Sequence, residues 1–344
     1  VLRPLPNYED PTKRRLEAVR AAAERDVESL LQLLAYFLAT KSRKRSRTSL
    51  KTYQLYGLGV RDWMSWAWPE GSPGPRVPIL KASADDVDRW ASELLSEGGH
   101  LRDNPEPLKP ATVAAYLAGL RAFYKALVWA RAAEKNPALE VAPPRDPTPR
   151  GERRPALPLA LYKRLLGLLP LTDPESLRDR VVVRLMGDVG LRVSEVEGLD
   201  VGDFDPLEEE VHVRAGKGGK ARTVPLPHDL VVELLEWLRV RSAFAAPGEE
   251  ALFVNLGGRK ARGQRLKAWT IRKRLAAYYR ELGVPERYHG PHSLRHLAGT
   301  RLYRATGDLY VVAALLGHSD VSTSQVYAKM DRSRLREAVR RLGG

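Results

Sequence analysis

The sequence predicts two domains, an all-α N-terminal one and a mixed, mainly α one that holds a small antiparallel β-sheet. Three observations carry that expectation. Residues 12 to 136 place apolar side chains three to four apart, with no alternating run that would mark a strand. PPRDPTPRGERRP (143 to 155) is too rich in proline and arginine to join a core and makes a stiff, extended connector. Beyond it, EVHVR (210 to 214) and ARTVPLP (221 to 227) alternate on either side of AGKGGK, which reads as a β-hairpin with a glycine-rich tip. A chain of 344 residues is long for one small domain, and either half can bury a core.

The elements follow in order. One helix covers roughly 12 to 40, broken near Asp26, and a second starts near Ser49 or Thr52 and ends before Pro69. A third follows Ser83 as N-cap, with Asp85 and Asp86 in its first turn, and a fourth runs from Pro110 to about Ala133, closed by Asn136-Pro137. PEGSPGPRVP (69 to 78) is a loop. After the connector, helices are expected near 159 to 169, 174 to 189, 228 to 242, 270 to 282, 292 to 306, 308 to 316 and 321 to 329. The expected boundaries are therefore 1–142 for the helical domain, 143–156 for the linker, 157–330 for the mixed domain and 331–344 for a helical tail. That tail carries Leu335, Val339 and Leu342 on one stripe, suited to docking on a neighbouring protomer.

Composition narrows the function. Lys and Arg total 57 against 42 acidic residues, a net +15 that favours a polyanionic partner such as nucleic acid. The absence of cysteine excludes disulfides, thiolate nucleophiles and cysteine-ligated metal sites. The N-terminal VLRPLPNYEDP has no apolar signal region, and LLQLLAYFLA (30 to 39) is too short to span a bilayer, so a cytoplasmic protein without a membrane partner is expected. KSRKRSR (41 to 47), with Arg43, Lys44, Arg45 and Arg47, and GRKARGQRLK (258 to 267), with Arg259 and Lys260, suit phosphate-backbone contact.

Several short motifs offer chemistry. In GLRVSEVEGL (190 to 199), Arg192 and Glu195 share a face if the segment is helical. Lys217 sits between two glycines at the hairpin tip, without the spacing or the Lys-Ser/Thr pair of an ATP-binding P-loop. GPHSLRHLAGT (290 to 300) places His292 and Arg295 at the start of a helix; the alternative pairing of His292 with His296 on zinc lacks a glutamate base and carries a repelling Arg295. LLGHSDVSTSQVYAKM (315 to 330) supplies His318 and, nine residues on, Tyr327, one of 13 tyrosines. Each signal alone is weak, but the set is what a phosphodiester requires. Arginine forks hold non-bridging oxygens, and His318 donates to the same oxygens. Tyr327, which alone would read as a packed core or interface tyrosine, is the candidate nucleophile in this set; only about one phenol in a thousand is ionised at neutral pH, so it needs a proton acceptor, and His292 is the candidate. Lys217 is the candidate acid for the departing sugar oxygen. A tyrosyl phosphodiester stores the energy of the broken bond, so cutting and rejoining need no ATP, metal or other cofactor.

At these positions the chain resembles the tyrosine recombinases, and among them the Xer-type site-specific recombinases. The order Arg192, Lys217, His292-Ser-Leu-Arg295, His318, Tyr327 is similar to that family's Arg, Lys, His-x-x-Arg, His/Trp, Tyr set, and GLRVSE, GKGGKARTVPL, PHSLRH and LLGHSDVSTSQVY resemble its motif boxes. Upstream, SLKTYQLYGLGVRDWMSW and ATVAAYLAGLRAFYKALVWA resemble the main helices of its core-binding domain, so the likeness spans nearly the whole chain. The PEGSPGPRVP insertion and Thr323-Ser324-Gln325 depart from its pattern. The stretch ahead of the first matched helix is too short for an extra arm-type DNA-binding domain, which favours the Xer type over a phage integrase.

The resemblance implies a SAM-like helical core-binding domain and a catalytic domain closing as a C-shaped clamp on double-stranded DNA. It implies a 3'-phosphotyrosyl intermediate at Tyr327 and strand exchange through a Holliday junction by a homotetramer, or a heterotetramer with a paralogue. Glu195 then orients Arg192 or Lys217. A chromosome- or plasmid-dimer resolvase is the expected role. The alternatives are a type IB topoisomerase, which relaxes DNA as a monomer, a mobile-element integrase, and a non-catalytic DNA-binding accessory protein.

Overall fold

The structure, a computed structural model, describes residues 8–42, 48–101, 106–146, 155–214, 221–258, 261–317, 324 and 327. The chain divides into two compact units, Val1–Pro147 and Thr148–Gly344.

Among its described residues the first unit is helical: α1 (Pro11–Ala23), α2 (Val27–Thr40), α3 (Leu50–Ala67), α4 (Ala84–Ser96) and α5 (Pro110–Trp129). The expected break near Asp26 is a true helix end. Arg25 adopts φ 59°, and the Asp26 carboxylate then caps α2 by accepting from Ser29 N at 3.0 Å. Ser83 and Asp86 form a reciprocal capping box on α4. Helix α5 stops four residues short of the expected Ala133, because Arg131 turns left-handed at φ 58° and Asn136 opens a separate short turn at Pro137–Leu139.

Helices α3 and α5 meet backbone to backbone. A Cβ on Gly59 would lie 2.8 Å from Tyr116 Cα, and one on Gly119 would lie 2.8 Å from Tyr56 Cα. That close crossing seals a core in which Trp63, Trp66 and Trp90 pack as a cluster with Tyr124 and Phe123. Asp62, 1% exposed, sits beside it and accepts from Trp90 Nε1 (2.9 Å) and His100 N (2.7 Å), so its charge is met by hydrogen bonds.

The second unit contains α6 (Leu159–Gly167), α7 (Pro174–Gly187), α8 (Val193–Gly198), α9 (His228–Arg241), α10 (Ala268–Glu281), α11 (Pro291–Thr306) and α12 (Leu309–Leu316). Its sheet has three antiparallel strands in the order β1 (Phe204–Asp205), β2 (Glu210–Val213), β3 (Arg222–Pro225). The hairpin pairs Val211 with Val224, and both are fully buried. Strand β1 adds a third strand that the sequence pattern did not announce, since two residues are too few to show alternation. α7 packs on α9 and α11, and the core around Val181, Leu185, Leu234, Trp237 and Leu294 anchors the loops that bear the motifs. The helix expected at 321 to 329 and the stripe at 335 to 342 lie outside the described residues, save Ser324 and Tyr327. No described helix is long and apolar enough to cross a membrane.

Candidate active site

Arg192 is the N-cap of α8, and Glu195 is the third residue of that helix. Glu195 Oε2 accepts from Arg192 N at 2.7 Å, while Oε1 takes the Arg192 guanidinium at 2.8 Å. A carboxylate in the first turn of a helix also sits in the favourable half of its dipole. The shared face expected from the spacing is therefore present.

Glu195 is not Arg192's alone. Arg222, the first residue of β3, reaches both of its oxygens with two nitrogens, at 3.0 and 3.1 Å. Arg295 from α11 brings Nη1 to 3.8 Å of Oε2. Three guanidiniums from three elements thus surround one carboxylate. Burial raises the Glu195 pKa, but the hydrogen bonds from Arg222 and Arg192 outweigh it, and the net shift is down, so Glu195 is ionised at neutral pH. One negative charge against three positive leaves a cluster that is short of anion, which is the electrostatic condition for receiving a phosphate.

Arg295 is 6% exposed and donates to the carbonyls of Gly190 and Leu316. Burial and the neighbouring Arg192 push its pKa down to about 10, which still leaves it charged at neutral pH. The carbonyl of Leu315 accepts from Arg222 Nε at 3.0 Å, so two arginines cap the negative end of α12. The chain leaves α12 through Gly317 in a left-handed turn at φ 61°, where any side chain would strike the Arg222 guanidinium at 2.8 Å.

Tyr327 is 1% exposed and packs with Val312 and Leu316 of α12. Its ring lies over Gly299 and is 5.7 Å from the His296 ring. Burial pushes its pKa up to about 12, against the opposing fields of Arg295 and Arg192. The described position is thus a packed, neutral phenol beside the arginine cluster. His292 stands one turn before Arg295 on the same helix, exposed.

The structure therefore brings Arg192, Glu195, Arg295 and Tyr327 together. Lys217, His318, Arg43, Lys44, Arg45, Arg47, Arg259 and Lys260 lie outside the described residues. Two neighbours had no place in the sequence reading. Arg222 is one residue of an alternating strand, whose pattern announces no partner, and His296 enters the sequence pattern only as a discounted zinc ligand; the signal at Arg222 is its position two residues beyond the glycine-rich tip. Among the described residues no group of three or more His, Asp and Glu side chains could hold a metal ion.

Three guanidiniums held by one carboxylate are suited to bind a phosphodiester, and the fields of Arg295 and Arg192 at Tyr327 oppose the rise in pKa that burial imposes on its phenol. The comparisons agree in class. Residues 160–334 match the phage integrase family. Tyrosine recombinase XerC of Vibrio parahaemolyticus is 30% identical over 97% of this chain and 93% of its own. Tyrosine recombinase XerC of Salmonella typhi is 36% identical over 67% of this chain and 73% of its own. In fold, the chain is similar to the XerH site-specific recombinase bound to a palindromic difH substrate, with TM-score 0.67 and 19% identity over 98% of this chain and 99% of that one. It is similar also to the Tn1549 transposon integrase in complex with transposon right-end DNA, with TM-score 0.67 and 19% identity over 92% and 99% of the two chains. The chain belongs to the phage integrase family and, within it, to the Xer-type tyrosine recombinases, enzymes of site-specific recombination.

Proposed function

We propose that this recombinase cuts and rejoins double-stranded DNA through a covalent 3'-phosphotyrosyl bond at Tyr327. The observation that carries the reading is the convergence of Arg192, Arg222 and Arg295 on Glu195 with the Tyr327 phenol in the field of Arg192 and Arg295. In the forward step Tyr327 Oη attacks the scissile phosphorus and the 5' oxygen of the next nucleotide departs. The phenolic proton passes to His292, and Lys217 protonates the leaving oxygen. Arg192, Arg295 and His318 hold the non-bridging oxygens as charge develops on them. Attack by a second DNA 5'-hydroxyl reverses the step and completes strand exchange.

The partner is a duplex recombination site, with four protomers exchanging strands in pairs through a Holliday junction. The net charge of +15 supports the DNA partner, and likeness to XerC relatives supports resolution of chromosome or plasmid dimers in the cytoplasm. Arg43, Lys44, Arg45, Arg47, Arg259 and Lys260 are the proposed backbone contacts.

The test is a suicide duplex, nicked beside the cleavage point of a site selected from genomic fragments by tight binding. The wild-type protein accumulates a covalent adduct on it, and Tyr327→Phe binds equally well and forms none. Binding without any wild-type adduct overturns the reading. Relaxation of plasmids lacking the site, with no recombinant products, replaces it with a topoisomerase.

A further inference from the structure

We propose that Arg222 is a positioning residue of the recombination site, a clamp that sets Arg192 through Glu195 and sets the exit of α12 through the Leu315 carbonyl. The inference rests on the tyrosine-recombinase reading of this site.

Arg222 makes three directed contacts with a single planar group. Nη1 and Nη2 each take one oxygen of Glu195, at 3.0 and 3.1 Å, while Nε takes the Leu315 carbonyl at 3.0 Å. The side chain is only 13% exposed, so the fork has little freedom to do anything else. Each contact ends on a part that the chemistry needs in place. Glu195 holds both the backbone nitrogen and the guanidinium of Arg192. Leu315 lies two residues before Gly317 and three before His318 in the sequence, and a side chain at Gly317 would strike the Arg222 guanidinium. Arg222 itself opens β3, five residues after Lys217 on the same hairpin. One guanidinium therefore ties the hairpin of the proposed acid, the helix of the first phosphate-binding arginine and the turn that leads to the second histidine.

An ordinary ion pair would need none of this geometry. A lysine keeps the charge, but its ammonium cannot span two carboxylate oxygens and a carbonyl at once. Both oxygens of Glu195 are already engaged with Arg192, so the carboxylate orients that guanidinium only if something fixes the carboxylate, and Arg222 supplies the bidentate hold.

The test measures single-turnover adduct formation on the nicked duplex, DNA affinity and thermal midpoint for Arg222→Gln, Arg222→Lys, Glu195→Gln and the double variant Arg222→Gln/Glu195→Gln. The expected result is adduct formation slowed about 10²-fold in Arg222→Gln, as for a misplaced reacting group, with DNA affinity unchanged. The midpoint falls modestly, because Glu195 and the Leu315 carbonyl lose hydrogen bonds, but stays well above the assay temperature. Arg222→Lys recovers only part of the rate, and the double variant is no slower than the worse single variant, because both residues act along one path. Three outcomes overturn the proposal: wild-type rates in Arg222→Gln, full recovery by Arg222→Lys, or rate losses that merely follow loss of folded protein. Losses that multiply in the double variant overturn the route through Glu195. Failure of the wild-type protein itself to form an adduct speaks against the recombinase reading and is distinct from all of these.

Discussion

Tyr327 rests on Gly299. A Cβ at residue 299 would come within 2.5 Å of Tyr327 Cζ, so the ring lies against α11 only because that residue has no side chain. In this position the phenol is 1% exposed and its pKa stands at about 12, raised by burial. A tyrosine so placed must leave its packing before it meets a phosphate. Gly299→Ala is expected to displace the ring and lower the Tyr327 pKa towards the ordinary value of about 10. Ring-labelled tyrosine NMR across an alkaline titration, with Tyr327→Phe to assign the resonance, measures it. An unmoved pKa means that the ring does not need the space.

Much of this was legible in the sequence because it rests on local rules. The caps at Asp26 and Ser83, the hairpin around AGKGGK and the Arg192 to Glu195 spacing are each set by neighbours within a few residues. What was not legible depends on distant partners. Arg222 meets Glu195 across 27 residues and Leu315 across 93, and an arginine in an alternating strand gives no sign of either. Glycine lowers helix propensity, and no local reason in the sequence accounts for Gly59 and Gly119 inside two helices; the close approach of α3 and α5 supplies it.

His100 makes the helical unit pH-dependent. Its burial would lower the imidazole pKa, but the Asp62 hydrogen bond at 3.0 Å and the charges of Asp62 and Glu93 raise it overall. A folded-state pKa above the unfolded one means that the native state binds the proton more tightly. The resulting stability is complete below about pH 6.5, the unfolded value, and is lost as pH rises through the folded value. Thermal midpoints measured from pH 5.5 to 8.5 are therefore expected to fall with pH in a way that His100→Asn flattens. An equal slope in the variant assigns the effect to another group.

Replacing Gly119 by Val tests the α3 to α5 crossing. The new Cβ would sit 2.8 Å from the Tyr56 backbone, which cannot rotate away as a side chain can, so the two helices must separate. Overpacking of this kind costs about 1–3 kcal/mol, and backbone contact places the expected loss at the upper end. Denaturant unfolding of the whole protein measures it. A loss of only a few tenths of a kcal/mol, the ordinary scale for an exposed substitution, would mean that the helices are already apart.

Arg192 and Arg295 are expected to fail differently when each is replaced by Ala, although both face the same phosphate in the proposed chemistry. The Arg192 side chain is 38% exposed, and without it Glu195 keeps its two bonds from Arg222. Its loss leaves the fold intact and slows cleavage by roughly 10²-fold or more, the scale of removing one donor to a developing oxyanion. Arg295 is buried and supplies hydrogen bonds to the Gly190 and Leu316 carbonyls. Removing it strands those acceptors, at about 1–3 kcal/mol for a buried group left unpaired, in addition to the loss of rate. Arg295→Ala therefore lowers the denaturation midpoint and the adduct rate together, while Arg192→Ala lowers the rate alone. Adduct kinetics and denaturant midpoints on the two variants separate the roles. If Arg192→Ala cleaves at the wild-type rate, Arg192 does not hold the phosphate, and the capping of α8 is all that it does.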